Sequence, residues 1–514
     1  MKEMTPYSIA APGFFGINLQ DSSLDMPPGF ALKAINCVID QYGRIGSRKG
    51  WVRSNTTSIP LGVANVEVIS ELITNDGTSY ILCCGNGKLF TLTAGALVEL
   101  TYGGGGVAPS ITLNNWQTAN LNGICYFFQR GYDPLIFDPA VSATTFRRVS
   151  EKTGYVATVP QSNTVISAYG RLWTADTTTN KNTVTWSDVI TGHIWATGTS
   201  GTLNLLGVWP AGSDEIVTLA AHNNFLIIFG KRQILVYSGA TNPSTMSLSD
   251  TISSIGCIAR DSVQTTGEDI MFLSNSGVRS LMRTIQEKSA PLRDLSKNIR
   301  DHLAIDINFE TLANVKSVYS SINSFYLMTM PASSIVYCLD TKTSLPDGSA
   351  KITIWDNILP TAFLSASDRS LYFGKAGYIG KYSGYLDDTS TYTMKYYTPN
   401  INFAGLATSS ILKKIALLAI GGSGQTINLF YAADYSTNYN TGQLVFPTHS
   451  ESYYNSTYYY NNTAYYTNGL GFDTINLQAG GAGKVLQFGF ECVVNGYQIS
   501  FQKLDIFTKT GKML

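Results

Sequence analysis

Charge is scarce in this chain of 514 residues: Asp, Glu, Lys and Arg make up 14% of it, against roughly a quarter in ordinary globular domains. The two signs cancel, 35 basic against 35 acidic side chains. No global field therefore draws nucleic acid or an anionic membrane, and only a local basic patch could do so. Cysteine is sparse and unpatterned. Cys37, Cys83, Cys84, Cys125, Cys257, Cys338 and Cys492 form no CxxC pair and have no His at ligand spacing. That argues for buried thiols in a reducing compartment rather than for a metal site. No apolar run approaches the length of about 18 residues that a membrane-spanning helix needs. The opening MKEMTPYSIAAPGFFG has no apolar core of a secretion signal, so the glycosylation triplets at Asn55, Asn455 and Asn461 read as chance matches. HExxH, GxSxG and a complete phosphate-binding loop are missing. Gly481-Ala482-Gly483-Lys484 lacks the first glycine of such a loop and continues into Val485. No cofactor and no catalytic residue is expected, and the four His (193, 222, 302, 449) form no recognisable triad motif.

Gly, Ser, Thr, Asn and 30 Tyr take the place of the missing charge, a composition that suits strands and turns. The stretch Glu215–Gly239, EIVTLAAHNNFLIIFGKRQILVYSG, reads as three short strands parted by His222-Asn223-Asn224 and Gly230-Lys231-Arg232. FLIIF is apolar at every position, as a strand buried on both faces must be. The same hairpin phrase recurs. Anchored on Tyr80, Ile124, Leu172, Phe225, Met271, Phe325 and Leu371, its steps are 44, 48, 53, 46, 54 and 46 residues. A hairpin unit returning every ~40–50 residues predicts an all-β fold, a β-propeller with one four-stranded blade per repeat. About seven blades are expected, with six as the alternative. The rival is a long β-sandwich or β-helix, which lacks this superperiod.

The expected organisation is an N-terminal segment over 1–60, the propeller over 61–398 and a sandwich-like platform over 399–514, built with the N-terminal segment. The best helix candidate, near 291–304, has Ser296 as cap and Leu295, Ile299, His302 and Leu303 on one face. Asn495-Gly496 marks a hairpin near the C-terminus. A Tyr-rich loop over 451–469 carries Tyr453, Tyr454, Tyr458, Tyr459, Tyr460, Tyr465 and Tyr466. It is either a binding surface or two further sandwich strands. The most basic turn holds Arg44, Arg48, Lys49 and Arg53, either a solvated cluster beside a packed Trp51 or a contact to a partner or a DNA phosphate. Asp176, Asp214, Glu268 and Asp340 sit near strand ends. They are either turn formers or, as in propeller glycosidases, carboxylates that converge at the ring centre.

The opening FFGINLQDSSLDMPPGFALKAINCVIDQYGRIGSRKGW resembles the start of tail proteins of short-tailed phages. The match falls on Gly16-Ile17-Asn18, Asp21-Ser22, Pro28-Gly29-Phe30-Ala31-Leu32, Asn36 and Arg48-Lys49-Gly50. Phe272–Ser280 and Leu371–Gly374 are similar to the same proteins, and Ser23-Leu24 departs where a Pro is common. The resemblance implies the tail nozzle or tail-hub family, also called tail tubular protein B or packaged-DNA stabilisation protein. It implies a non-enzymatic virion protein, assembled in the host cytoplasm as a homohexameric ring. Below the portal and adaptor, such a ring retains packaged DNA, passes it without sequence specificity and carries fibres or spikes. A carbohydrate-binding or glycan-cleaving propeller is the alternative.

Overall fold

The computed structural model describes residues 4–112, 115–286, 294–403, 405, 407–448 and 471–513. Seven antiparallel blades, one of them part of a larger sheet, follow one another along the chain, and their innermost strands close a ring. These strands are Val66–Ile73, Gln117–Leu121, Ser162–Ala168, Ile216–His222, Gln264–Thr265, Ser317–Ser320 and Phe363–Ser365, belonging to blades 1 to 7 in that order. Each touches the next, through the short turn Arg260–Ser262 between blades 4 and 5, and Phe363–Ser365 returns to Val66–Ile73. The seven sequence anchors all fall in the second strand of their blade.

Alternation within strands makes the ring. In the second strand of blade 4, Leu226 and Ile228 pack with Trp173 and Trp186 of blade 3, while Ile227 and Phe229 pack with Phe272 of blade 5. Both faces are dry because successive side chains point to opposite neighbours. The pair Cys83-Cys84 obeys the same rule: Cys84 packs with Phe127 and Phe137 of blade 2, and Cys83 with Tyr372 and Ile379 of blade 7. All seven cysteines are buried and free. Burial pushes the Cys83 and Cys125 thiols up to about 12, so neither is a reactive thiolate at neutral pH.

Two blades depart from the pattern. Among the described residues blade 5 has three strands, and the helices Leu281–Gln286 and Arg300–Phe309 follow its third strand. The helix candidate therefore begins later than the sequence suggests, after a single turn Lys297–Ile299. Ser296 does not cap it. Its hydroxyl accepts the Val278 N–H at 2.9 Å and donates to Asp294 at 3.3 Å, fastening the segment to blade 5. Blade 7 takes its outer strand, Trp51–Arg53, from the N-terminal segment, so that segment belongs partly to the propeller.

The platform is a sandwich. One sheet runs Phe472–Gly483, Thr408–Gly421, Ile499–Met513, Ile45–Ser47 and Cys37–Ile39, with Thr5–Ala10 on Ile499–Met513. The other is not separate from the propeller. Blade 6 continues through Ala350–Trp355 into Lys33–Ile35, Tyr392–Tyr397, Leu486–Val494, Thr426–Ala433 and Asn440–Val445, part of one sheet of 11 strands. The boundary expected at 398 thus lies earlier, because Tyr392–Tyr397 is already a platform strand. The core shows the same fusion. Met271 and Leu273 of blade 5, Met328 and Leu339 of blade 6, and Leu417, Phe490 and Ile506 of the platform share one buried cluster.

Candidate functional site

The basic turn is the first candidate, and the structure buries Arg48, half-buries Arg44 and Lys49 and leaves Arg53 exposed. Arg48 is fully buried. Its guanidinium grips Asp387 with two parallel bonds of 2.8 and 2.7 Å, donates through Nε to Asn36 Oδ1 at 3.0 Å and lies 4.0 Å from the Tyr392 ring centroid. The Tyr392 hydroxyl donates to the Arg48 carbonyl. Asn36 holds the far side, donating to Asp356 at 2.7 Å and to the Thr393 carbonyl at 2.9 Å. One arginine thus ties blade 6, blade 7 and the platform together. Next to it Gly50 runs so close to Leu386 that an added Cβ would meet the Leu386 carbonyl oxygen at 1.8 Å. This corrects the partner-contact reading for Arg48, and the physical reason is that a buried planar fork matched to a carboxylate only 10% exposed is a joint. Arg44 pairs with Asp40 at 2.5 Å, and Arg53 pairs with Asp388 at 2.6 Å and lies over Tyr378. Lys49 is half-buried, and its backbone N–H reaches the Tyr382 hydroxyl at 3.0 Å. The turn offers no cluster of free cations. The seven tyrosines of 451–469 lie outside the described residues.

The four sequence-picked carboxylates do not meet on the ring axis. Asp176 accepts from Arg130 and Asn163. Asp214 accepts the Arg232 and Glu215 backbone N–H groups, a turn-forming role. Glu268 and Asp340 line a cleft between blades 5 and 6, away from the axis.

The axis itself holds a candidate site that sequence reading missed. The seven inner strands enclose a cavity of about 540 Å³ to which every blade contributes. Its mouth lies at the strand entries and is braced by Arg260, 5% exposed. The guanidinium holds Asp261 with bonds of 2.7 and 2.8 Å, reaches Asn115 through its carbonyl at 2.9 Å and its side chain at 2.8 Å, and takes the Asn163 carbonyl at 2.6 Å. The Lys316 ammonium joins from blade 6, 2.5 Å from Asp261 and 2.9 Å from Asn115. Burial alone would raise the Asp261 carboxyl, but the Arg260 and Lys316 charges overcome it and hold it well below the usual carboxylate range. Glu67 of blade 1 is different. It is half-buried beside the cavity and accepts no hydrogen bond among the described residues, and burial raises its carboxyl while Lys316 draws it down.

These residues escape motif reading because Asn115 and Arg260 are 145 positions apart. A signal was present nonetheless. In a charge-poor chain, Glu67, Arg260-Asp261 and Lys316 stand at the entries of the innermost strands of aligned repeats. Among the described residues no group of three or more His, Cys, Asp or Glu could hold a metal ion, and no helix is long and apolar enough to cross a membrane.

No protein-family model matches the chain, and no curated protein matches it. Solved structures give distant likenesses. The extracellular domain of a one-component system of B. thetaiotaomicron is 11% identical with a TM-score of 0.41, over 85% of this chain and 60% of that one. The Pan2 WD40 domain of Neurospora crassa is 10% identical with a TM-score of 0.36, over 66% of this chain and 95% of that one. An auxiliary nutrient binding protein of Bacteroides thetaiotaomicron is 11% identical with a TM-score of 0.32, over 74% of this chain and 76% of that one. The chain spans 42% and 60% of the first two solved chains it matches. Likenesses of this size carry no argument about function; the all-β, propeller-like fold stands on the sheets described above.

Proposed function

We propose that this chain is a structural assembly protein rather than an enzyme, of the tail-nozzle kind that its opening segment resembles. The observation that carries the reading is the single sheet running from blade 6 into the platform. A propeller whose edge strand is hydrogen-bonded into a second domain cannot swing on a linker, and it passes load from one body to the other. The residues that bear the resemblance support the same reading, because they build this joint. Gly16 pairs with Ile352 of blade 6, Asn36 and Arg48 form the buried node, and Gly50 makes the tight approach to Leu386. A low-charge surface suits burial in protein interfaces.

On this reading copies form a ring, taken as a hexamer from the family, below an adaptor and with fibres or spikes attached. DNA passes through a bore lined mainly by neutral polar or acidic side chains, since each fixed phosphate contact adds salt-dependent grip. With Arg48 internal and Arg44 and Arg53 paired, the basic turn supplies little to either contact. Mass photometry of the purified protein, alone and with its adaptor, tests this. A species near six times 55.8 kDa is expected. A protein that stays monomeric under both conditions would overturn the nozzle reading.

A further inference from the structure

The axial cavity is lined by residues from every blade, polar side chains among them, and the inference drawn from it is independent of the assembly role. We propose that it takes a neutral polyhydroxylated molecule of about monosaccharide size, with the Glu67 carboxylate as the principal acceptor. Its volume of about 540 Å³ falls within the range of roughly 300–1,000 Å³ typical of ligand pockets.

Charge decides against an ionic ligand. Arg260 and Lys316 face Asp261 and Glu67 at the mouth, two of each sign. An anion gains no unspent cation, since both basic groups are engaged with Asp261 and Asn115. A cation drawn to Glu67 meets Lys316, whose charge already acts on that carboxyl.

The unspent hydrogen-bonding groups point to hydroxyls. Gln117 spends its Oε1 on the Val165 N–H at 2.7 Å and keeps its amide N–H donors free among the described residues. Gln264 spends Nε2 on the Ser317 carbonyl at 3.1 Å and keeps its oxygen. Thr118, Ser167 and Thr265 line the wall with hydroxyls that have no partner among the described residues. The lining thus offers both free donors and free acceptors together with a carboxylate. Sugar hydroxyls, which both donate and accept, satisfy such a set, whereas an apolar molecule would strand it. Phe363 supplies an apolar wall.

The test is ligand-observed NMR and calorimetry on the full chain, with glucose, galactose and mannitol as probes and glucosamine as the cationic competitor. At least one neutral probe should bind. Glu67→Gln, which keeps shape and removes charge at a half-exposed position, should weaken it about tenfold or more. Thr118→Val should weaken it by a smaller factor and stands in if Glu67→Gln does not fold, while Arg53→Ala on blade 7 should leave binding unchanged. The proposal is overturned if no neutral probe binds, if glucosamine binds in preference to glucose, or if binding survives the cavity substitutions unchanged.

Discussion

Two of the buried arginines, Arg48 and Arg260, tie distant parts of the molecule together, in different surroundings. Arg48, at the seam between propeller and platform, is sealed: no part of it is exposed, its carboxylate partner sits 339 residues away, and aromatic rings close over it. Arg260, at the channel mouth, has more hydrogen-bond partners but stands beside a cavity. The seam shows a charge buried to fix the relation of two bodies. The mouth shows a charge network that braces a ring while leaving polar groups unspent beside an open space. The comparison teaches that partner number alone does not separate joint from site; the groups left over do.

The largest expected effect breaks the seam. Arg48→Met leaves the Asp387 carboxylate, 10% exposed, without its cation and should cost about 3–5 kcal/mol of stability, read as a lowered urea midpoint. Adding Asp387→Leu should recover much of that loss, as a double-mutant cycle would show. The matching substitution at the mouth, Arg260→Met, should cost less, about 1–3 kcal/mol, because water in the cavity can reach the orphaned carbonyls and Asp261. Equal losses at the two positions would erase the distinction drawn here.

The sequence made the ring legible and hid the joint, for physical reasons. Hairpins repeat because every blade must bury two faces, so period and alternation survive in the residues themselves. FLIIF and Cys83-Cys84 were readable on that ground. The joint is made by residues whose partners are hundreds of positions away. Arg48 looked like part of a surface turn because Arg44, Lys49 and Arg53 flank it, and only the fold brings Asp387 against it. The helix expected over 291–304 shares only 300–304 with the observed Arg300–Phe309, since Ser296 fastens blade 5 instead of capping it. The channel mouth was missed because its residues are scattered over several repeats, with only Arg260 and Asp261 adjacent.

Smaller effects sharpen the contrast by pH. The Asp261 carboxyl is held below its usual value, so its stabilisation is present above the unfolded value of about 3.9 and lost as pH falls below it. Asp261→Asn should therefore cost about 1–2 kcal/mol across neutral pH, and the gap to the parent should narrow below about pH 4. Glu67 runs the other way. Its carboxyl is raised by burial, so its folded state favours the protonated form and loses stability as pH rises through the folded value. Glu67→Gln should be neutral at acid pH and stabilise by less than ~1 kcal/mol near neutrality, in thermal melts at a series of pH values.

The fusion of propeller and platform is the central claim, and the chain carries its own probe. All seven Trp, from Trp51 to Trp355, lie in the propeller, and the platform has none. Urea unfolding followed by Trp fluorescence therefore reports the propeller, while far-ultraviolet circular dichroism reports both bodies. If the shared sheet and the Arg48 node make one cooperative unit, the two curves coincide in the parent protein and separate in Arg48→Met. Two resolved transitions in the parent, with the platform melting apart from the propeller, would contradict the account.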